Sequence, residues 1–256
     1  MIGMRPSGLD SQFVFSDRQI HVWTVRLTAS EACASRCLAW LSDDEQARAA
    51  RFHFDQHRQA FVLGRAVLRA LLGAMLEISP AEIRFRYGPK GKPALADWSG
   101  LLRFNSSNSG NLAAYAFTEG CELGIDVEAL RPIPEMDRIA ARFFAPGETS
   151  ALLSLPEPDR PQGFFNCWTR KEAYIKAVGE GLSVPLDSFQ VTLQPGAAAE
   201  ILCLGGNTEA AKAWTLEDFA PAAGFVGAIA YPDRSRPVLF RPLINAEELL
   251  LAYDQG

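Results

Sequence analysis

The chain has no dense basic run. Its 25 Lys and Arg stand against 30 Asp and Glu, a formal net charge of −5. Duplex nucleic acid, whose binding rests on neutralising phosphates, is therefore not an expected partner, although local basic pockets are not excluded. No CxxC pair is present. The 5 cysteines (33, 37, 121, 167 and 203) are odd in number, and Cys33 and Cys37 lack a second close pair. That argues against a disulfide framework or a zinc site and for buried free thiols, since free Cys packs as a small hydrophobe. The opening residues, MIGMRPSGLDSQF, hold no apolar signal core. No apolar run approaches the roughly 20 residues that a membrane span needs. No G-x-x-x-x-G-K-[ST] phosphate loop occurs either. Together these absences predict a soluble protein of a reducing, cytoplasmic compartment, with no membrane and no nucleic-acid partner.

What is present is ordinary globular material: 256 residues, 48% hydrophobic and 21% charged. Such a composition argues against disorder, and the length allows one large domain or two small ones with a sizeable core. Residues 1–18 are polar and read as a flexible N-terminal segment. Alternation predicts a strand over 20–27. Ser42 with Glu45 three residues on resembles a capping box, opening a helix to about 52. A second helix is predicted over 57–76, where Phe61, Leu68, Leu71, Leu72 and Met75 recur at helical spacing. Strands follow over 83–87, 101–105, 112–117 and 122–128, with turn residues between them. The second half repeats the order. Helices are predicted over 135–144, 147–155 and 160–178, then strands over 188–193, 199–204, 213–219 and 224–231. Helices followed by strands, twice, predict α+β architecture. The prolines of RPIP at 131–134 suit a joint. The division read from this order is 1–18, a 19–125 α+β half and a 126–256 α+β half.

Four segments carry chemistry. In GIDVE at 124–128, Asp126 and Glu128 fall on one strand face with Ile125 and Val127 on the other. Adjacent carboxylates repel unless a cation lies between them, and hard oxygen ligands suit Mg²⁺; a solvated strand end is the plainer alternative. In WTRKEAYIK at 168–176, Glu172 and Lys176 are i and i+4 on a helix. They are either a surface ion pair or, on a helix this apolar, charges with a task. FNSSNSG at 104–110 sets Ser107, Asn108 and Ser109 beside a glycine turn, which suits either a phosphate or an ordinary polar hairpin. Lys90 and Lys92 in a Gly-Pro turn, with Arg48 and Arg51 upstream, are on their own solvated charges. Taken together, paired acids, a helical Glu and Lys, and phosphate-sized donors describe a Mg²⁺-assisted phosphoryl-type site.

At these residues the sequence also resembles a known family. GIDVE at 124–128 followed by WTRKEAYIK at 168–176 is similar to the paired signature of the 4'-phosphopantetheinyl transferases, and most of all to the surfactin-synthetase-activating type. The segments 87–95, 104–110 and 179–191 resemble the family's G-K-P turn, its F-N-x-S-H-S-G strand and the stretch after its helix. One position departs: Asn108 stands where the family has His. Asn donates a hydrogen bond but carries no charge. Arg48 falls where the family has Lys, and the other expected Lys coincides with Glu45.

The resemblance implies two similar α+β halves in one chain, a pseudo-twofold arrangement with the active site between them. It implies an enzyme that moves the 4'-phosphopantetheine arm of coenzyme A to a serine of an apo acyl, peptidyl or polyketide carrier protein, releasing 3',5'-adenosine bisphosphate. Mg²⁺ is the implied cofactor, held by Asp126, Glu128 and Glu172. Glu172 would be a metal ligand or the base, with Lys176 and Asp126 beside it as catalytic groups. Arg48, Lys92, Ser107, Asn108 and Lys176 would hold the phosphates of coenzyme A. The implied assembly is a monomer. A different Mg²⁺ phosphotransferase and a non-catalytic carrier-protein or coenzyme A binding module are the rival classes. For carrier docking the candidates are Arg138, Arg142 and the Phe143–Phe144 pair; the two rings read equally as core, although helical geometry allows one to face out while its neighbour packs.

Overall fold

The computed structural model of the protein describes residues 19–97 and 102–254, so the segment expected over 1–18 lies outside the described residues. β1 (Ile20–Arg26) is buried along almost its whole length. α1 (Glu31–Cys37) starts at Ser30, whose hydroxyl accepts the Cys33 N–H. α2 (Asp43–Ala49) begins where the cap pattern predicts: Glu45 Oε2 accepts the Ser42 N–H at 3.0 Å. It stops at Ala49, short of the expected 52. α3 (Asp55–Leu76) runs for 22 residues and is long and apolar enough, by length and composition, to cross a bilayer. The count of uninterrupted apolar residues missed this because arginines divide the run. Here α3 is a core helix: Leu63, Ala66, Val67, Leu71 and Leu72 are fully buried. Its buried Arg69 is satisfied by Glu45 and by the carbonyls of Pro80 and Ile83.

β2 (Phe85–Tyr87) and β3 (Pro93–Leu95) form a small hairpin, followed by β4 (Leu102–Ser109), β5 (Leu112–Glu119) and β6 (Gly124–Ala129). The polar segment read as strand and turn is strand through Ser109, and the turn itself falls at Gly110, whose φ of +57° suits glycine. Then come α4 (Met136–Phe143), α5 (Pro146–Leu153), α6 (Arg160–Val178), β7 (Phe189–Val191), β8 (Ile201–Leu204), α7 (Thr208–Ala211), β9 (Thr215–Phe219) and β10 (Phe225–Tyr231). The described chain ends with β11 (Val238–Phe240), β12 (Ile244–Asn245) and α8 (Ala246–Asp254).

Two sheets organise the molecule. One has the order β11-β1-β5-β4, with β12 also paired to β1; the other has the order β6-β10-β9. Strand alternation divides their side chains between layers. Ile20, Val22, Leu112, Ala114, Ile125, Val127 and Ile229 meet in a shared apolar layer between the sheets. The opposite face of the first sheet, with Trp23, Val25, Tyr115 and Phe117, packs on α3. The opposite face of the second, with Val226, Ala228 and Ala230, packs on α6. The result is an α+β fold in which two acids on β6 look toward α6.

The stretch expected to belong wholly to the second half, 126–256, does not all stay there. β11 and β12 run parallel to β1, with Ile20 opposite Val238 and Val25 opposite Ile244. α8 buries Leu249 and Leu250 in the core of the first half. This pairing covers the edge of β1 that β5 leaves open, an edge that would otherwise present unpaired backbone groups. All 5 cysteines are free, with Cys33, Cys37 and Cys167 buried.

Candidate active site

Gly124 sets the distance between β6 and α6. A Cβ there would stand 2.1 Å from the Ala173 carbonyl oxygen and 2.3 Å from the Ala177 nitrogen, so only glycine lets the strand lie on the helix backbone. One step along, Asp126 faces the helix, as the strand period requires. Lys176 Nζ donates to Asp126 Oδ1 at 2.7 Å, to Ser107 Oγ at 3.0 Å and to the Ile125 carbonyl at 3.2 Å. Ser107 Oγ donates to the same Asp126 oxygen at 2.7 Å. Lys176 thus pairs with Asp126, and among the described residues it makes no salt bridge with Glu172, its i−4 neighbour.

Asp126 is 5% exposed. Its second oxygen, Oδ2, is buried and has no hydrogen-bond partner among the described residues. Burial pushes the Asp126 carboxyl above the ordinary carboxylate range, against the pull of Lys176 and Ser107. Glu172 is pushed up in the same way, first by burial and then by the negative charge of Asp126, with Glu128 adding to it. The three acids therefore lie within one another's field. Glu128 Oε2 accepts from Ser109 at 2.6 Å and from Arg131 at 3.0 Å. Among the described residues, no three His, Cys, Asp or Glu side chains are gathered closely enough to hold an ion by themselves.

β4 meets β6 through side chains rather than a backbone ladder. Asn105 Oδ1 accepts the Ile125 N–H at 2.9 Å, Ser107 reaches Asp126, and Ser109 reaches Glu128 while accepting the Ala129 N–H at 3.1 Å. Asn105, Ser107 and Ser109 occupy alternate positions and so share the face toward β6. Asn105 and Ser109 were not singled out as partners of β6. Their signal was this alternation of small polar residues, but nothing local says which strand lies opposite.

β4 also borders a cleft of about 320 Å³, lined by Asp44, Arg48, Phe61, Arg65, Ser107 and Asn108 among others. Arg48 holds its guanidinium 5.1 Å from the Phe61 ring. Arg48, Ser107 and Asn108 thus line one cleft. Lys92 does not join them. Its ammonium donates to Glu122 at 3.2 Å and to the carbonyls of Leu123 and Ala177, each at 3.3 Å. These three acceptors match the three donors of a lysine and tie the β2–β3 turn to β6 and α6. Lys171, next to Glu172, is likewise structural: it is fully buried on Glu148 and on the carbonyls of Leu186 and Phe189. Arg65, which the sequence reading overlooked inside an apolar helix, lines the cleft instead.

Comparison with known proteins bears on the same residues. The family profile described as the 4'-phosphopantetheinyl transferase superfamily matches residues 122–230, and that of the 4'-phosphopantetheinyl transferase N-terminal region matches residues 27–119. The chain is 40% identical over 215 residues to the 4'-phosphopantetheinyl transferase HetI of Nostoc sp., covering 83% of this chain and 87% of that protein. It is 34% identical to the 4'-phosphopantetheinyl transferase Sfp of Bacillus subtilis, over 62% of this chain and 69% of that one. The mouse L-aminoadipate-semialdehyde dehydrogenase-phosphopantetheinyl transferase is 29% identical over 77% of this chain and 69% of its own length. The acids on β6 and the Glu172–Lys176 face of α6 fall inside the first matched region and the cleft-lining Arg48, Arg65, Ser107 and Asn108 inside the second; on the identity shared with HetI across most of both proteins, the chain is an enzyme of the 4'-phosphopantetheinyl transferase superfamily.

Proposed function

We propose that this protein transfers the 4'-phosphopantetheine arm of coenzyme A to a serine hydroxyl of an apo carrier protein of the acyl, peptidyl or polyketide class, with Mg²⁺, releasing 3',5'-adenosine bisphosphate. One observation carries the reading. Asp126 Oδ1 is taken by Lys176 and Ser107, while Oδ2 is buried with no hydrogen-bond partner among the described residues. A buried carboxylate oxygen without a donor costs about 1–3 kcal/mol, and a bound cation removes that cost. The donor chemistry fits Mg²⁺: carboxylate oxygens from Asp126, Glu128 and Glu172, with water and phosphate oxygens completing the set. When bound, the ion supplies positive charge to the diphosphate of coenzyme A.

The chain's own groups do the rest. The serine oxygen forms a bond to the phosphorus that carries pantetheine, and the bond from that phosphorus to the bridging oxygen breaks. Lys176, fixed on Asp126, faces the charge that builds on the departing phosphate. Glu172 is the third ligand or takes the serine proton, directly or through water; its raised affinity for protons suits the second task. Arg48, Ser107 and Asn108 hold the nucleotide end. We infer further that the two α+β units are related halves, with the reaction taking place along their seam at β4 and β6. For the carrier, α4 offers Phe143 at 36% exposure while Phe144 is buried at 2%. The decisive experiment is mass spectrometry of apo carrier proteins incubated with this protein, coenzyme A and Mg²⁺. Transfer adds about 340 Da to one serine, the mass of the phosphopantetheine group. Binding without a mass gain across acyl, peptidyl and polyketide carriers would leave a binding module instead.

A further inference from the structure

The cleft beside β4 has an unexpected charge distribution. Glu45 is 2% exposed, and its carboxylate is held by two guanidinium groups, Arg65 and the buried Arg69. One carboxylate against two guanidiniums leaves a positive charge over, and Asp44 and Arg48, which also line the cleft, are one acid and one base and leave that balance unchanged. Arg69 cannot present it, because its donors end on Glu45, Pro80 and Ile83 deep in the core. Arg65 can. Its side chain is 15% exposed and lines the cleft. Nε and Nη2 reach Glu45, and Nη2 also reaches the Tyr87 hydroxyl at 3.2 Å. Nη1 makes no hydrogen bond among the described residues, yet it is not among the buried unpartnered atoms. Its N–H groups are therefore open to the cleft. The guanidinium rests 4.6 Å from the Phe85 ring, so it is held on one side by an aromatic face and along one edge by an acid.

We propose that Arg65 is a specificity-determining residue that binds the phosphomonoester of the donor nucleotide and supplies the charge that Asn108 lacks. This rests on the coenzyme A reading above. Coenzyme A carries a diphosphate, which is cleaved, and a separate 3'-phosphate, which is not. The diphosphate must lie where the bond breaks, at Asp126 and Lys176. The cleft is lined both by Ser107, which touches that site, and by Arg48 and Arg65. The second phosphate is the anion left for the guanidinium side of this cleft. A guanidinium with one edge open donates two N–H groups to a phosphate, and a phosphomonoester dianion rewards a fixed cation more than a neutral amide.

The test compares coenzyme A with 3'-dephospho-coenzyme A in the intact enzyme, with Mg²⁺ and one apo carrier. Wild-type protein should favour coenzyme A in kcat/KM by at least about tenfold, the scale of one charge-assisted hydrogen-bonded contact. Arg65→Gln should lose most of that preference through a raised KM for coenzyme A, with KM for dephospho-coenzyme A and for carrier unchanged. Isothermal titration should show the same loss for 3',5'-adenosine bisphosphate and none for 5'-AMP. If both donors weaken equally, Arg65 acts only through Glu45 and the proposal is overturned; an unchanged preference overturns it too. Should Arg65→Gln fail to fold, Arg65→Lys keeps a cation beside Glu45 but loses the planar fork. Its preference should fall at least about threefold, and full retention overturns the proposal. A wild-type protein that transfers nothing from coenzyme A would instead overturn the function itself, an outcome separable from any result on Arg65.

Discussion

Gly124→Ala adds one carbon at the closest approach of β6 to α6. On the present backbone that carbon would stand 2.1 Å from Ala173 O, 2.3 Å from Ala177 N and 2.8 Å from Lys176 C. All three atoms are helix backbone, so no rotamer change relieves the overlap. An ordinary contact begins near 3.4 Å, so strand and helix must separate by about 1.3 Å at this point, the difference between 3.4 and 2.1 Å. Lys176 moves with the helix and Asp126 with the strand. Their 2.7 Å bond then opens past hydrogen-bond range. Overpacking costs about 1–3 kcal/mol, and the upper end applies where backbone must move. For a chain of this size about 3 kcal/mol corresponds to a fall in Tm of roughly 6–12 °C. A shift of about 1 Å in a catalytic group lowers kcat by roughly 100-fold. The assay pairs thermal unfolding with mass-spectrometric transfer kinetics. Gly110→Ala is the control: it has φ of +57° and nothing within 4 Å of an added carbon, so it should cost about 1–2 kcal/mol and leave kcat alone. A Gly124→Ala protein with wild-type Tm and wild-type kcat would refute the reasoning. One that is destabilised but fully active would show that this contact does not position Lys176.

Three further outcomes are expected. Asp126→Ala should stay folded, since it removes a carboxylate that burial already disfavours, yet lose at least about 100-fold in transfer rate; near-normal turnover by the folded variant would remove Asp126 from the mechanism. Lys92→Met should lower stability in urea unfolding by about 1–3 kcal/mol, since it strips the donor from two part-buried carbonyls and Glu122, without changing KM for coenzyme A; a raised KM at unchanged stability would return Lys92 to the nucleotide. His21 is held down to about 4 by burial and then by the Arg241 charge, so the native state refuses a proton that the unfolded chain accepts below about pH 6.5. Stability should therefore fall as pH drops from 6.5 to 4, by up to about 3 kcal/mol. Urea midpoints at pH 7, 5.5 and 4 for wild type and His21→Gln check this, and parallel curves for the two proteins would contradict it.

Much of the molecule was legible from local periodicity. Asp126 and Glu128 share a face because a strand repeats every two residues, and they do face away from the layer that holds Ile125 and Val127. Glu172 and Lys176 share a face because a helix brings i and i+4 together. The Ser42–Glu45 cap, the core helix α3 and the hairpin strands follow from the same kind of short-range rule. Of Phe143 and Phe144, Phe143 is the exposed one, and the helix ends there: Phe144 is already extended and packs into the core.

The partners of charges were not legible, because they depend on which acceptors are buried alongside them far away in sequence. Lys176 had an acid one turn away, yet it takes Asp126, 50 residues distant, since that carboxylate is the one enclosed with it by Gly124 and Ser107. Lys92 looked like a phosphate ligand in a loop, but the carbonyls of Leu123 and Ala177 close around it. Glu45 stood where the family's pattern called for a cation, and only the packing of α2 on α3 shows two arginines converging on it, one of them open to the cleft. The last strands were too short to carry a pattern at all. Val238–Phe240 and Ile244–Asn245 become strands only because β1 has an edge to cover, so tertiary pairing, and not propensity, returns the end of the chain to its beginning.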